Sequence, residues 1–263
     1  MRFHRRSDCW LAHFTPTYLL VLLALAVGAC PARDALALSE STKEMVRIGR
    51  VNELGIGVTP DGAKAAIWYQ RAAARGSTAA MVRLGDLHLR GAGVEHDRVI
   101  AGYWFERAAA RGNSRGMRMA GFMHDEFPQA GAQDGLALSW YRKAAAAGDR
   151  DAMRRLAERH AFGVGAAQDW EAAAGWYTKA ARAGCSTSML NLGTLHKQGL
   201  GMQRDDARAV YWFALAAAKR NTEAMIELAN MIREGRAQEL DPKLADRWLK
   251  RAEQLGNRRT GLL

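Results

Sequence analysis

The chain predicts an all-α fold, a right-handed α-solenoid of six 36-residue helix-turn-helix repeats. Three observations carry this expectation: a tryptophan that returns at a fixed interval, apolar stripes at helical spacing, and glycine followed by a capping residue at the breaks. Trp68, Trp104, Trp140, Trp176, Trp212 and Trp248 lie 36 residues apart. Each precedes a large apolar residue: Tyr69, Phe105, Tyr141, Tyr177, Phe213 or Leu249. Four residues beyond each tryptophan stands Ala72, Ala108, Ala144, Ala180, Ala216 or Ala252. Eight beyond stands Gly76, Gly112, Gly148, Gly184 or Gly256, with Arg220 as the exception. A period of roughly 20–50 residues is the signature of a solenoid.

The first 40 residues fall outside that period and read as an address. Met1 to Ala29 pair a basic head (Arg2, Arg5, Arg6) with the apolar run Tyr18–Val27. That run is too short to cross a bilayer comfortably, which takes about 20 residues, and has the proportions of a secretory signal peptide. Val27-Gly28-Ala29-Cys30 resembles a lipobox, so residues 1–29 are expected to be a signal peptide. Cys30 is then the lipidation site and membrane anchor, and 30–40 a linker. Ala35-Leu36-Ala37 leaves open cleavage after Ala37 and a soluble periplasmic or secreted product. Removal of Cys9 and acylation of Cys30 would leave Cys185 alone, so packing must hold the fold without a disulfide.

The repeats then run 41–76, 77–112, 113–148, 149–184, 185–220 and 221–256, followed by a cap at 257–263. In the first helix of a unit, Met81, Leu84, Gly85 and His88 form one apolar stripe. In the second helix Ala101, Trp104, Phe105 and Ala108 do the same. Between units, Gly76-Ser77, Gly112-Asn113 and Gly148-Asp149 supply a left-handed helix end and then an N-cap. Within units, Gly55-Ile56-Gly57-Val58 leads to Asp61 and Gly91-Ala92-Gly93-Val94 to Asp97. Equivalent stretches lead to Asp169 and Asp205, each acid placed to start the second helix. The third unit differs, with Phe127-Pro128-Gln129-Ala130-Gly131 in place of the glycine loop.

This pattern resembles the Sel-one-like repeat, a longer-period relative of the tetratricopeptide repeat. The residues that carry it are Ala80, Leu84-Gly85, His88, Gly91-Ala92-Gly93-Val94, Asp97, Ala101, Trp104-Phe105, Ala108-Ala109 and Gly112. The resemblance covers residues 41–256 and implies a non-catalytic protein–protein interaction scaffold. Its implied settings are envelope assembly, exopolysaccharide export or signalling. Two alternatives stay open: a periplasmic regulator of a membrane sensor kinase, and a hydrolase of cell-wall material or β-lactams.

Composition gives a globular chain: 263 residues, 49% hydrophobic, 25% charged, with a net charge of +11. The charge suggests an acidic partner, and export argues against nucleic acid. No cofactor, metal or catalytic set is expected. His88, His124, His160 and His196 share one slot, but successive units stack about 10 Å apart, far beyond the ~2 Å Zn–N bond. They read as structural, hydrogen-bonded histidines. The Trp-aromatic pairs read as core. The feature that stands out is a series of arginines at non-core positions of the first helices: Arg83 and Arg90, Arg115 and Arg118, then Arg154, Arg155 and Arg159. The resemblance implies that first helices line a concave face, so these seven are the expected partner-binding residues. Units five and six offer Asn191, Glu223, Glu227 and Glu234 there instead, a neutral to acidic surface.

Overall fold

A computed structural model describes residues 41–127, 135–165, 167–237 and 239–260. The expected signal peptide, Cys30, the linker, 128–131 of the third loop and the last three residues of the expected cap lie outside them. Among the described residues there are twelve α-helices and no strands, two helices in each 36-residue window. In chain order the pairs are α1 (Thr42–Leu54) with α2 (Gly62–Ala74), α3 (Thr78–Arg90) with α4 (Arg98–Ala109), and α5 (Ser114–Glu126) with α6 (Gly135–Ala146). Then follow α7 (Arg150–Phe162) with α8 (Trp170–Arg182), α9 (Ser186–Gln198) with α10 (Asp206–Ala218), and α11 (Thr222–Arg233) with α12 (Lys243–Thr260). Each helix packs on its partner, and the second helix of each of the first five units packs on the next unit's first helix, so each unit completes its neighbour's core.

The helices begin where the sequence places caps. Asp61, Asp97, Asp169 and Asp205 each accept a hydrogen bond from the backbone N–H two or three residues on. Ser77, Asn113 and Asp149 do the same for first helices. At the unit junctions Gly76, Gly112, Gly148 and Gly184 take positive φ between 80° and 89°. Arg220 occupies the same turn at φ 64°. Gly256 breaks the series: α12 runs on through Thr260, so residues 257–260 of the expected cap continue the last helix.

The core aromatics differ from expectation. The residue after each of the first five repeat tryptophans is the buried one: Tyr69, Phe105 and Phe213 have no exposed surface, and Tyr141 and Tyr177 almost none, while Leu249 after Trp248 is only partly buried. These rings enter a notch made by a small residue on the first helix. A Cβ on Gly121 would come within 2.9 Å of the Tyr141 ring, and one on Gly85 within 2.5 Å of Phe105. The tryptophans are half-buried, one side packed on the core and the other turned outward. Over four of them sits a cation from one helical turn further on: Arg71 over Trp68, Arg107 over Trp104, Lys143 over Trp140 and Lys179 over Trp176. Positions i and i+3 share a helix face, so the period that repeats the tryptophan also repeats the pair.

The histidine slot is structural but not uniformly bonded. His88 Nδ1–H donates to the Glu95 carbonyl at 3.1 Å, and His124 Nε2–H to the Glu106 carboxylate at 3.1 Å. His160 and His196 have a buried Nδ1 without a hydrogen-bond partner among the described residues. Burial, helped by the charge of Arg208, lowers the pKa of His196. Cys185 is a buried free thiol at the N-cap of α9 and makes no capping bond.

Candidate functional site: arginines on the first helices

The seven arginines lie on or beside the first-helix layer, but not as a bare stripe of charge. Each meets a carboxylate, and most of the pairs join one unit to the next. Glu53 on α1 receives a hydrogen bond from Arg90 on α3 at 2.7 Å and lies 3.8 Å from Arg83. Arg115 on α5 donates to Asp86 on α3 at 2.6 Å. Arg159 on α7 donates to Asp125 on α5. Arg118 on α5 reaches Asp149, the N-cap of α7, at 3.1 Å. Within α7, Glu158 pairs with Arg154 and lies 3.6 Å from Arg155.

The first helices of units one to four are thus cross-linked by ion pairs. Sequence reading missed the acceptors because they fall at unequal separations: 37 residues for Arg90–Glu53, 29 for Arg115–Asp86 and 34 for Arg159–Asp125. No single period exposes them. Two tyrosines held a signal that could have. Tyr69 donates to Glu53 at 2.8 Å and Tyr141 to Asp125 at 2.9 Å, each 16 residues back. Where position −16 is Leu89 or Lys197, the core ring is Phe105 or Phe213, which has no hydroxyl to satisfy.

Two of these acceptors, Glu53 and Asp86, differ in electrostatics. Burial pushes the Glu53 carboxyl up, but hydrogen bonds from Tyr69 and Arg90, with the charge of Arg83, outweigh it and hold the pKa below its ordinary value. Burial pushes Asp86 up as well, and Arg115, Arg83 and Arg90 only partly offset it, so its pKa stays raised. Burial and the Asp125 carboxylate likewise push the Tyr141 hydroxyl up.

Seven guanidinium groups share five carboxylates (Glu53, Asp86, Asp125, Asp149 and Glu158), so the layer keeps a positive excess. Arg155 is the loosest. Its side chain is 42% exposed, its one carboxylate is distant, and that carboxylate is already bonded by Arg154. Arg159 is the most enclosed, with a buried Nε that finds no acceptor. Towards the C-terminus the surface is mixed rather than simply acidic. Glu227 binds Lys197 of α9 at 2.9 Å, and Glu234 pairs with Arg236. Arg236 also holds Asp206 at 2.6 Å, and this bond with that from Arg204 lowers the Asp206 pKa strongly.

Between α5 and α7 the layer opens into a cleft of about 280 Å³ lined by Asp125, Arg155, Glu158, Arg159, Phe162 and Val164. A larger hollow of about 490 Å³ lies by the loop before α10, among Thr178, His196, Met202 and Arg208. No group of three His, Cys, Asp or Glu side chains converges on a metal-sized site among the described residues. No described helix is long and apolar enough to cross a membrane.

Comparison with known proteins places this architecture. The Sel1 repeat model matches residues 45–77, 78–113, 130–149, 150–185, 186–221 and 222–257. The third match is short because it omits α5, although that helix is formed and packed like the others. The chain is similar to a Sel1 repeat protein from Oxalobacter formigenes, at 29% identity and a TM-score of 0.75 over 81% of this chain and 88% of that one. It is also similar to a protective antigen of uropathogenic Escherichia coli strains with an SLR fold, at 29% identity and a TM-score of 0.72. That match covers 82% of this chain and 46% of the antigen, so the chain spans less than half of the antigen's length. An immunity protein from Pseudomonas aeruginosa shares the fold, at 18% identity and a TM-score of 0.55 over 82% of each chain. No curated protein matches. With six matched repeats and a helix pair in every 36-residue unit, the chain belongs to the Sel1 repeat family.

Proposed function

We propose that the protein is a non-catalytic scaffold of the bacterial cell envelope that holds an acidic protein or peptide partner against its first-helix, concave face. Sel1 repeat proteins generally act as protein–protein interaction scaffolds. The observation that carries the acidic partner is the positive excess on α3, α5 and α7, where seven arginines share five carboxylates. Such a field raises encounter rates with an acidic partner and fades with salt, because exposed charges are screened beyond ~8 Å.

The envelope address rests on the sequence: the apolar run Tyr18–Val27 ahead of Val27-Gly28-Ala29-Cys30. Cys30 is the residue that carries the lipid and tethers the repeats to the outer membrane, facing the periplasm. Affinity capture from envelope membranes tests both parts. Capture should weaken as ionic strength rises and in the doubly reversed Arg115→Glu, Arg154→Glu protein. It should survive the second-helix reversals Arg107→Glu and Arg142→Glu. Labelled palmitate should enter the wild type and not Cys30→Ser. Capture indifferent to salt and to the first-helix pair overturns the electrostatic face, and an unlabelled wild type overturns the anchor.

A further inference from the structure

The cleft between α5 and α7 has a wall of one chemistry and a mouth of another. Phe162, the last residue of α7, is 71% exposed, and Val164 just beyond it is 49% exposed. A phenylalanine this open, beside an open valine, leaves apolar surface in water that a partner side chain could cover. Across from that wall stand the charged groups, and their hydrogen bonds are unevenly used. Asp125 is committed to Tyr141 and Arg159. Glu158 is committed to Arg154. Arg155 makes no hydrogen bond among the described residues and keeps its five donors for something else.

The local charge has the same sign as that vacancy. Counting all of α7 with the facing Asp125, Arg150, Arg154, Arg155 and Arg159 outnumber Asp151, Glu158 and Asp125 by one, and Arg155 is the more exposed of the two arginines that line the cleft. The volume of about 280 Å³ suits one or two side chains rather than a large cofactor. The Phe162 slot holds Arg90 in unit two, Glu126 in unit three, Gln198 in unit five and Glu234 in unit six. Unit one comes nearest, with Leu54 53% and Ile56 59% exposed and Arg47 in the Arg155 slot, but Arg47 donates two hydrogen bonds to Glu44 where Arg155 makes none among the described residues.

We infer that this cleft is the anchor point for the partner: it takes a peptide carboxylate on Arg155 and the neighbouring aliphatic side chain against Phe162 and Val164. The inference rests on the concave-face reading above and names where on that face, and to what chemistry, the partner is fixed. Arg155 suits the task because its planar fork can bind a carboxylate through two parallel N–H donors. Phe162 and Val164 add a short-range apolar contact that long-range charge attraction lacks, and so give the pocket its selectivity among acidic segments.

The test uses the intact protein and a fluorescein-labelled peptide, Gly-Ser-Glu-Leu-Glu-Leu-Ser-Gly, followed by fluorescence anisotropy. Wild type should bind it, and should bind the Gln-for-Glu peptide at least tenfold more weakly, as expected for loss of a charge-assisted pair. Arg155→Gln should weaken binding by a similar factor, and Phe162→Ser by several-fold. Both residues are exposed, so circular dichroism should be unchanged. Arg142→Gln, on the second-helix layer, should change binding less than twofold. Indifference to Arg155→Gln or Phe162→Ser, or equal binding of both peptides, overturns the pocket. If Arg115→Gln abolishes binding and Arg155→Gln does not, the pocket falls while the charged face stands. If the wild type ignores the peptide, the pocket falls, and membrane capture alone then judges the concave-face reading.

Discussion

Cations repeat along both layers of this solenoid, and the two layers use them in opposite ways. On the first helices an arginine reaches across a unit boundary to a carboxylate, as Arg90 does to Glu53 and Arg115 to Asp86. On the second helices a cation folds back over its own helix onto a tryptophan one turn away, as Lys143 does onto Trp140. The first arrangement ties units together; the second shields one unit's aromatic surface from water. The difference follows from what lies opposite. First helices carry buried carboxylates, with Glu53 only 7% and Asp86 13% exposed, which cannot stay ionised there without a partner. Second helices offer a half-buried indole and, among the described residues, bond to no carboxylate of the next unit's second helix.

The largest effect should come from the ring both layers share. Tyr141 is 1% exposed and fills the notch at Gly121, so Tyr141→Ala should cost about 3–5 kcal/mol, the usual range for truncating a buried aromatic. Trp140→Ala should cost less, about 1–2 kcal/mol, because part of the indole is already in water and its buried Nε1 lacks an acceptor among the described residues. Urea unfolding of the two variants checks the order. A costlier Trp140→Ala would mean that the tryptophan, not its neighbour, is the core residue.

Next come the cross-unit rungs. Glu53→Gln should cost about 2 kcal/mol, since it removes the charge that Arg90 and Tyr69 donate to. Acid should act selectively. Glu53 has a folded pKa below its unfolded one, so its contribution is present at neutral pH and is lost as pH falls through that lowered value. Asp86 has a raised folded pKa, so its protonation favours the fold, and that gain is lost as pH rises through the raised value. Hydrogen exchange on stepping from pH 6 towards about pH 3 should therefore loosen α1 against α3 before α3 against α5. Loosening in the reverse order would contradict the assignment of the two carboxylates.

The sequence made the period legible and left the phase within it ambiguous. Six tryptophans 36 apart are enough to count units and to set helix against helix, because packing repeats with the period. Trp140 and Tyr141 are adjacent apolar residues, though, and a one-residue rotation of about 100° decides which is buried. The notch glycine settles it, and its partner becomes visible only in three dimensions. The arginines posed a harder problem. Their layer could be named from helix position, but their state depends on Glu53 and Asp125, which share one slot in alternate units, and on Asp86, which sits in another. Phe162 is hidden for the opposite reason: an apolar residue at a helix end gives no sign in one dimension that nothing covers it.

Arg220 is a cation that serves neither layer, and its cost lies in the backbone. It holds φ 64° where four other junctions place glycine, a conformation that crowds Cβ against the chain. Arg220→Gly should stabilise the fold by about 1 kcal/mol, the strain released being partly offset by the freer unfolded chain. Arg220→Ala should gain nothing, since alanine keeps the Cβ. Equal gains from both would point to charge relief rather than backbone strain.

The smallest expected effect tests the outer layer on its own terms. The Lys143 ammonium lies 4.4 Å from the Trp140 ring centre, and its side chain is exposed, so water competes for the charge. A cation–π contact in that setting is worth about 0.5–1 kcal/mol. Lys143→Gln keeps the chain length and a similar helix propensity, so the difference isolates the charge above the ring. It should cost about 0.5 kcal/mol and change Trp140 fluorescence, while Lys143→Arg should restore both. Because the pair lies within one helix, the loss should leave exchange at the neighbouring units untouched, unlike Glu53→Gln. A loss that spreads from α6 into α4 or α8 would mean that the outer cations also join units.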